Sequence, residues 1–172
     1  MKTTFSFIIV LLCSLFCFAA ELKVSDPAPV FTTQTQDGSN FDLNSRKGKW
    51  TVLYFYPKAS TPGCTKQACA FRDSIAKIRE QGADVFGISA DSVEAQAAFH
   101  KEHRLNFNLL ADADAKIIKL YGAKKFILNM SNRWTFILDP ELKIRNIMKD
   151  VDPVLDAERV SKEISKLKSN SP

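Results

Sequence analysis

The sequence predicts an α/β domain built on a mixed central sheet with helices on both faces, and three observations predict it. Residues Trp50 to Tyr56 (WTVLYFY) form an unbroken aromatic and β-branched run ending at Pro57, the composition of a strand buried on both faces. Helical spacing follows directly, with Ala68, Phe71, Ile75 and Ile78 on one stripe before Gly82, so strand and helix alternate. The chain then closes on two extended segments and an amphipathic helix, which add antiparallel strands to that core.

Each element has its own local reason. Ala28 to Leu43 alternates apolar and polar stretches and breaks at Asp37-Gly38, a strong short-range hairpin signal, so the domain opens on an N-terminal β-hairpin. Cys64 to Glu80 is the first helix, stopped by Gly82. Ala83 to Ser89 (ADVFGIS) is a second strand, and Asp91 or Ser92 caps a helix through Ala95, Ala98 and Phe99 to about Arg104. Phe107 to Leu110 is a short third strand, and Asp112 to Tyr121 is a one-face helix closed by Gly122. Arg133 to Leu138 (RWTFIL) ends at Asp139-Pro140 and pairs with Leu142 to Met148 as a hairpin. Pro153 to Lys168, capped by Asp152, carries Val154, Leu155, Val160, Ile164 and Leu167 on one face.

A length of 172 residues is one domain. Phe5 to Ala20 is apolar apart from Ser6 and Ser14, follows the single cation Lys2 and ends in small residues. Residues 1–19 therefore read as a secretory signal peptide, with the folded domain at 20–172 and the protein exported to the bacterial periplasm. The stretch is shorter than the roughly 20 residues that span a bilayer, so no stable membrane association is expected after cleavage; an uncleaved anchor is the alternative. Leu12 and Phe16, which are not small, precede Cys13 and Cys17, which argues against a lipoprotein. The net charge of +5 is scattered, without a run of five like charges, and this excludes a nucleic-acid arm. His100 and His103 in FHKEHR have no neighbouring ligand in sequence and read as solvated helix positions, so neither metal nor cofactor is expected.

The mature chain keeps two cysteines, Cys64 and Cys69, too few for a disulfide-dense scaffold. Their C-x4-C spacing reads as a redox couple, and an inert buried pair is the bland alternative. Cys64 falls in the first turn of the helix after the strand, where unpaired N–H groups and the macrodipole favour a thiolate. Gly63 allows close backbone approach, Pro62 fixes the helix entry, and Thr61 adds a hydroxyl.

The stretch YFYPKASTPGCTKQACAFRD resembles the active-site region of the peroxiredoxins, in particular the bacterioferritin comigratory protein or PrxQ subfamily. The pattern P-x-x-x-T-x-x-C is met by Pro57, Thr61 and Cys64, and similarity extends over DVFGISADS, LNFNLLADADAKIIKLYGA and RWTFILD. The resemblance implies a thioredoxin-like fold and a thiol peroxidase acting on hydrogen peroxide and organic hydroperoxides, re-reduced by thioredoxin or a similar dithiol donor and working as a monomer. It makes Cys64 the peroxidatic cysteine, oxidised to a sulfenic acid, and Cys69 the resolving cysteine that forms a Cys64–Cys69 disulfide. It gives Thr61 a hydrogen bond to sulfur and peroxide, and Arg133 the stabilisation of developing negative charge. Pro57, Pro62 and Gly63 shape the substrate pocket. Two departures stand out: Gln67 occupies a position where many relatives carry an acid, and AKKFILNMSN at 123–132 matches no motif. Export would also separate the protein from cytosolic thioredoxin.

The competing function is a thioredoxin-fold copper-binding assembly factor, which requires C-x3-C and a downstream histidine. Here the spacing is four and no histidine follows His103. A disulfide oxidoreductase acting on proteins requires C-x2-C, also absent. Spacing adds one mechanical expectation. Five residues along an α-helix separate two Cα atoms by roughly 8.6 Å, beyond the roughly 7 Å within which a disulfide closes without backbone movement.

Overall fold

The structure, a computed structural model, describes residues 21–169; the expected signal peptide lies outside the described residues. The hairpin strands are β1 (Thr32–Thr35) and β2 (Asn40–Asp42), followed by a short 3-10 turn at Leu43–Arg46. Then come β3 (Trp50–Phe55), α1 (Pro62–Glu80), β4 (Ala83–Ser89), α2 (Val93–Glu102) and β5 (Asn108–Ala111). The chain ends with α3 (Lys116–Leu120), β6 (Trp134–Leu138), β7 (Ile144–Met148) and α4 (Asp156–Ser169). The sheet has seven strands in the order β2-β1-β5-β4-β3-β6-β7. Strands β3, β4 and β5 are parallel and every other pairing is antiparallel, which makes the expected mixed sheet.

Strand β3 shows why its composition has to be apolar throughout. Its side chains alternate between two cores: Val52 and Tyr54 join Phe71, Ile78, Phe99, Val160 and Ile164 beneath α1, α2 and α4. Leu53 and Phe55 join Phe31, Ile118, Tyr121 and Phe136 on the α3 face. Tyr54 stacks on Tyr56 and on Phe71 at 5.5 and 4.7 Å between ring centroids, which locks α1 against the strand it follows.

One expectation is corrected. The helix expected over Asp112 to Tyr121 covers only Lys116–Leu120. The Asp112 carboxylate instead accepts the Ile118 N–H at 2.8 Å, and Ala115 takes a left-handed φ of 53°, so the preceding residues form a capping turn. The expected N-terminal hairpin is present, turning over Thr35 to Ser39, with Thr35 N–H donating to the Ser39 carbonyl at 2.9 Å and Gly38 at φ 82°. At the other helices Ser92, not Asp91, caps α2. Asp152 caps a turn ahead of α4, accepting the Val154 N–H at 2.8 Å.

Candidate active site

Strand β3 ends at Phe55, and residues 56–61 carry the chain from its C-terminal end into α1. Ser60 turns with a left-handed φ of 57°, a conformation a non-glycine residue holds only when neighbours fix it. The fixing contact is the Ala59 N–H, which donates to Asp91 Oδ2 at 2.8 Å. Asp91 also accepts from Ser89 Oγ at 2.7 Å, Ser89 accepts from the Gln96 amide at 2.7 Å, and Tyr56 Oη donates to Gln96 Oε1. Burial pushes the Tyr56 phenol well up from its ordinary value, so it remains a donor.

Helix α1 begins with Pro62 in its first turn and Thr61 as its N-cap residue. Proline there removes an N–H that would otherwise be orphaned. Cys64 is 1% exposed, a free thiol at the start of α1, and Cys69 lies partly exposed on the same unbroken helix, also free. The guanidinium of Arg133, just ahead of β6, donates from Nη2 to Cys64 Sγ at 3.5 Å. Gly63 makes room for it: a Cβ there would lie 3.2 Å from Arg133 Nη2 and 3.9 Å from Pro153. The freedom of Gly63 thus admits the arginine.

Arg133 Nη1 donates to Gln67 Oε1, the Gln67 amide donates to Asp156 Oδ2 at 2.6 Å, and Thr135 Oγ1 donates to that same oxygen at 2.9 Å. Gln67, Thr135 and Asp156 are 0–1% exposed. Burial holds the Asp156 carboxyl above the usual carboxylate value, against the lowering effect of the two hydrogen bonds.

Of the residues singled out in the sequence, Cys64, Gly63 and Arg133 meet in space. Thr61 directs its hydroxyl to the Lys58 carbonyl at 2.9 Å, so its donor is engaged there while its lone pairs stay available. Pro62 is exposed at the helix entry and Pro57 is half-buried after β3. Residues 123–132 form a small projecting hairpin, with a Lys124 to Ser131 bridge and Phe126, Ile127 and Leu128 exposed at its tip; it leads directly into Arg133. Asp156 escapes a sequence reading because it is 89 residues from Gln67. Its only trace is an acid on the apolar stripe of α4, in register with Val160 and Ile164. Asp91 reads as a helix cap, and only the fold shows it holding the loop.

A buried thiol at a helix start, faced by a cation held on an amide, is an arrangement that steadies negative charge appearing beside the sulfur. Comparison with known proteins places the chain as a whole. A family model described as AhpC/TSA family matches residues 24–147. The chloroplastic peroxiredoxin Q of Sedum lineare is 47% identical over 123 residues, covering 71% of this chain and 66% of that protein. Across the chloroplastic peroxiredoxin Q relatives, the match spans from 52% to 66% of their length. Peroxiredoxin Bcp of Escherichia coli strain K12 is 38% identical over 135 residues, covering 75% of this chain and 86% of that protein. The solved bacterioferritin comigratory protein of Xanthomonas campestris, described for alkyl peroxide reduction, superposes with a TM-score of 0.76 at 26% identity, covering 80% of this chain and 91% of that one. The fold is therefore the thioredoxin-like fold of the peroxiredoxins, and the chain belongs to the AhpC/TSA family, among its peroxiredoxin Q and Bcp members.

Proposed function

We propose that the protein is a thiol peroxidase that reduces hydrogen peroxide and organic hydroperoxides at Cys64. The observation that carries this reading is the Arg133 guanidinium at 3.5 Å from a buried Cys64 sulfur. The Cys64 thiolate attacks the terminal peroxide oxygen, forming an S–O bond as the O–O bond breaks. The departing oxygen takes a proton and leaves as water or an alcohol, and the sulfur is oxidised to a sulfenic acid. Arg133 and the start of α1 stabilise the negative charge on sulfur and on the departing oxygen. Thr61 offers a hydroxyl oxygen to the incoming peroxide proton, and Pro57, Pro62 and Gly63 border the approach.

Cys69 then attacks the sulfenic sulfur, an S–S bond replaces the S–O bond, and water leaves. An external dithiol of the thioredoxin type returns both cysteines to thiols by exchange. The export expected from residues 1–19 calls for a donor on the far side of the inner membrane. The copper-binding alternative gains nothing from the fold, because among the described residues no three His, Cys, Asp or Glu side chains converge.

The test is consumption of hydrogen peroxide and of an alkyl hydroperoxide by the reduced protein with a thioredoxin-type donor. Both substrates should be consumed, with a Cys64–Cys69 disulfide accumulating when the donor is withheld. Failure of the reduced protein to consume either peroxide would overturn the reading. Intact-mass measurement of the protein from an envelope fraction should find the chain starting near Ala20; retention of residues 1–19 would remove the export part.

A further inference from the structure

We infer that Asp156 is a positioning residue for Arg133, acting through the side-chain amide of Gln67. The inference rests on the role proposed above for Arg133 and adds what holds that arginine in place. Among the described residues, no carboxylate lies within ion-pair distance of Arg133; its partners are the Cys64 sulfur and the Gln67 carbonyl oxygen. An amide has a donor end and an acceptor end, and only one orientation suits a guanidinium, which has donors alone. Asp156 makes that choice. An ionised carboxylate only accepts, so the Gln67 Nε2 must face Asp156 Oδ2, where it sits at 2.6 Å. The Gln67 oxygen is then directed at Arg133. A flipped amide would set donor against donor at Arg133 and acceptor against acceptor at Asp156.

The surroundings of Asp156 argue that packing alone does not account for it. It occupies a position on the apolar face of α4, beside Ala157, Val160 and Ile164 in the core against α1. Its Oδ1 is buried without a hydrogen-bond partner, an arrangement that opposes folding. The charged and polar groups around it are Gln67 from α1, Thr135 from β6, Tyr54 from β3, Arg133 ahead of β6 and Arg159 of its own helix. Thr135 fixes the carboxylate by bonding the same Oδ2 that Gln67 uses. An apolar side chain at 156 would pack with less cost, and it would leave the amide free to flip.

The test is a cycle of variants read by the second-order rate constant for oxidation of the reduced protein by hydrogen peroxide. Asp156→Asn should slow oxidation about tenfold, the scale of one charge-assisted hydrogen bond, because an amide at 156 accepts either orientation of Gln67. Gln67→Glu alone should slow it by a similar factor, since two carboxylates then face each other. The double variant Asp156→Asn with Gln67→Glu should recover to within about threefold of the parent. In it the amide introduced at 156 donates to the carboxylate introduced at 67, and that carboxylate accepts from Arg133. Gln67→Met, which removes the oxygen that Arg133 bonds, should be at least as slow as Asp156→Asn, and a parent-like rate there overturns the inference even should the latter not fold. Recovery in the double variant is a readout that a purely structural role for Asp156 would not produce. Rates for Asp156→Asn or Gln67→Met within about twofold of the parent, or a double variant as slow as the product of its singles, would overturn the inference. Arg133→Ala run alongside separates the two levels: an unchanged rate there removes the arginine reading itself.

Discussion

Two buried polar networks flank Cys64, and they differ in what the reaction does to them. The network before it joins Tyr56, Gln96, Ser89, Asp91 and the Ala59 N–H, and none of its members lies between the two cysteines. The network after it joins Arg133, Gln67, Asp156 and Thr135, and Gln67 lies inside the 64–69 segment. On the proposed cycle, closing the disulfide moves that segment and breaks the second network while the first stays whole. The loop that leads into Cys64 thus stays anchored throughout, while the helix turn after Cys64 is held only in the reduced state. The side that positions charge is the side that must let go.

The largest effect expected is at the nucleophile. Cys64→Ser should abolish peroxide consumption with the thermal unfolding profile intact, because no second nucleophile takes part in the scheme; substantial turnover would move the chemistry elsewhere. Next is Arg133→Ala, which should slow peroxide reduction by about one to two orders of magnitude, measured by stopped-flow oxidation of the reduced protein. A rate equal to the parent would mean that the arginine only packs beside the sulfur.

Asp91→Ala tests the anchored side. It strips partners from the Ala59 N–H and the Ser89 hydroxyl, so stability should fall by about 1–3 kcal/mol, read by urea denaturation. An unchanged midpoint would mean that the loop holds its strained turn without this network.

The smallest effect concerns Asp156 and pH. Burial raises its carboxyl above the ordinary 3.8, so the folded state binds its proton more tightly than the unfolded chain does. The carboxyl therefore opposes folding increasingly as pH rises from 3.8 through the raised folded value, and this handicap is full above that value. Asp156→Asn should be as stable as the parent or more so at about pH 7, with the gap shrinking toward about pH 4. A parent that gains on the variant as pH rises would show the opposite sign and remove the argument that the carboxylate is retained at a cost.

What the sequence made legible follows from how local each signal is. Strand β3 declares itself because both faces are buried, leaving seven consecutive residues from Trp50 to Tyr56 no polar position other than Thr51. Thr61 to Cys64 is contiguous, so the turn, the helix start and the thiol are read together. The helix at α3 reads too long because Asp112 looks like part of an amphipathic turn, whereas its side chain caps one. Arg133 lies 69 residues from Cys64, and nothing local marks it; only the resemblance points there. Asp156 and Gln96 are polar residues on apolar helix stripes, a pattern that signals a buried hydrogen bond without naming its partner.

The reduced helix and the disulfide cannot coexist. Helix α1 runs unbroken through both free cysteines, and regular geometry separates their Cα atoms by roughly 8.6 Å, beyond the roughly 7 Å a disulfide tolerates. On the proposed cycle the first turns of α1 therefore unwind on oxidation, and they are expected to be the low-stability unit of the fold. Hydrogen exchange across Gly63 to Phe71 measures this directly, in reduced protein and in protein whose Cys64–Cys69 disulfide has been verified by mass spectrometry. Exchange should be slow when the protein is reduced and markedly faster when it is oxidised, with the Ala83–Ser89 strand protected in both; equal protection of Gly63 to Phe71 in the two states would contradict the unwinding.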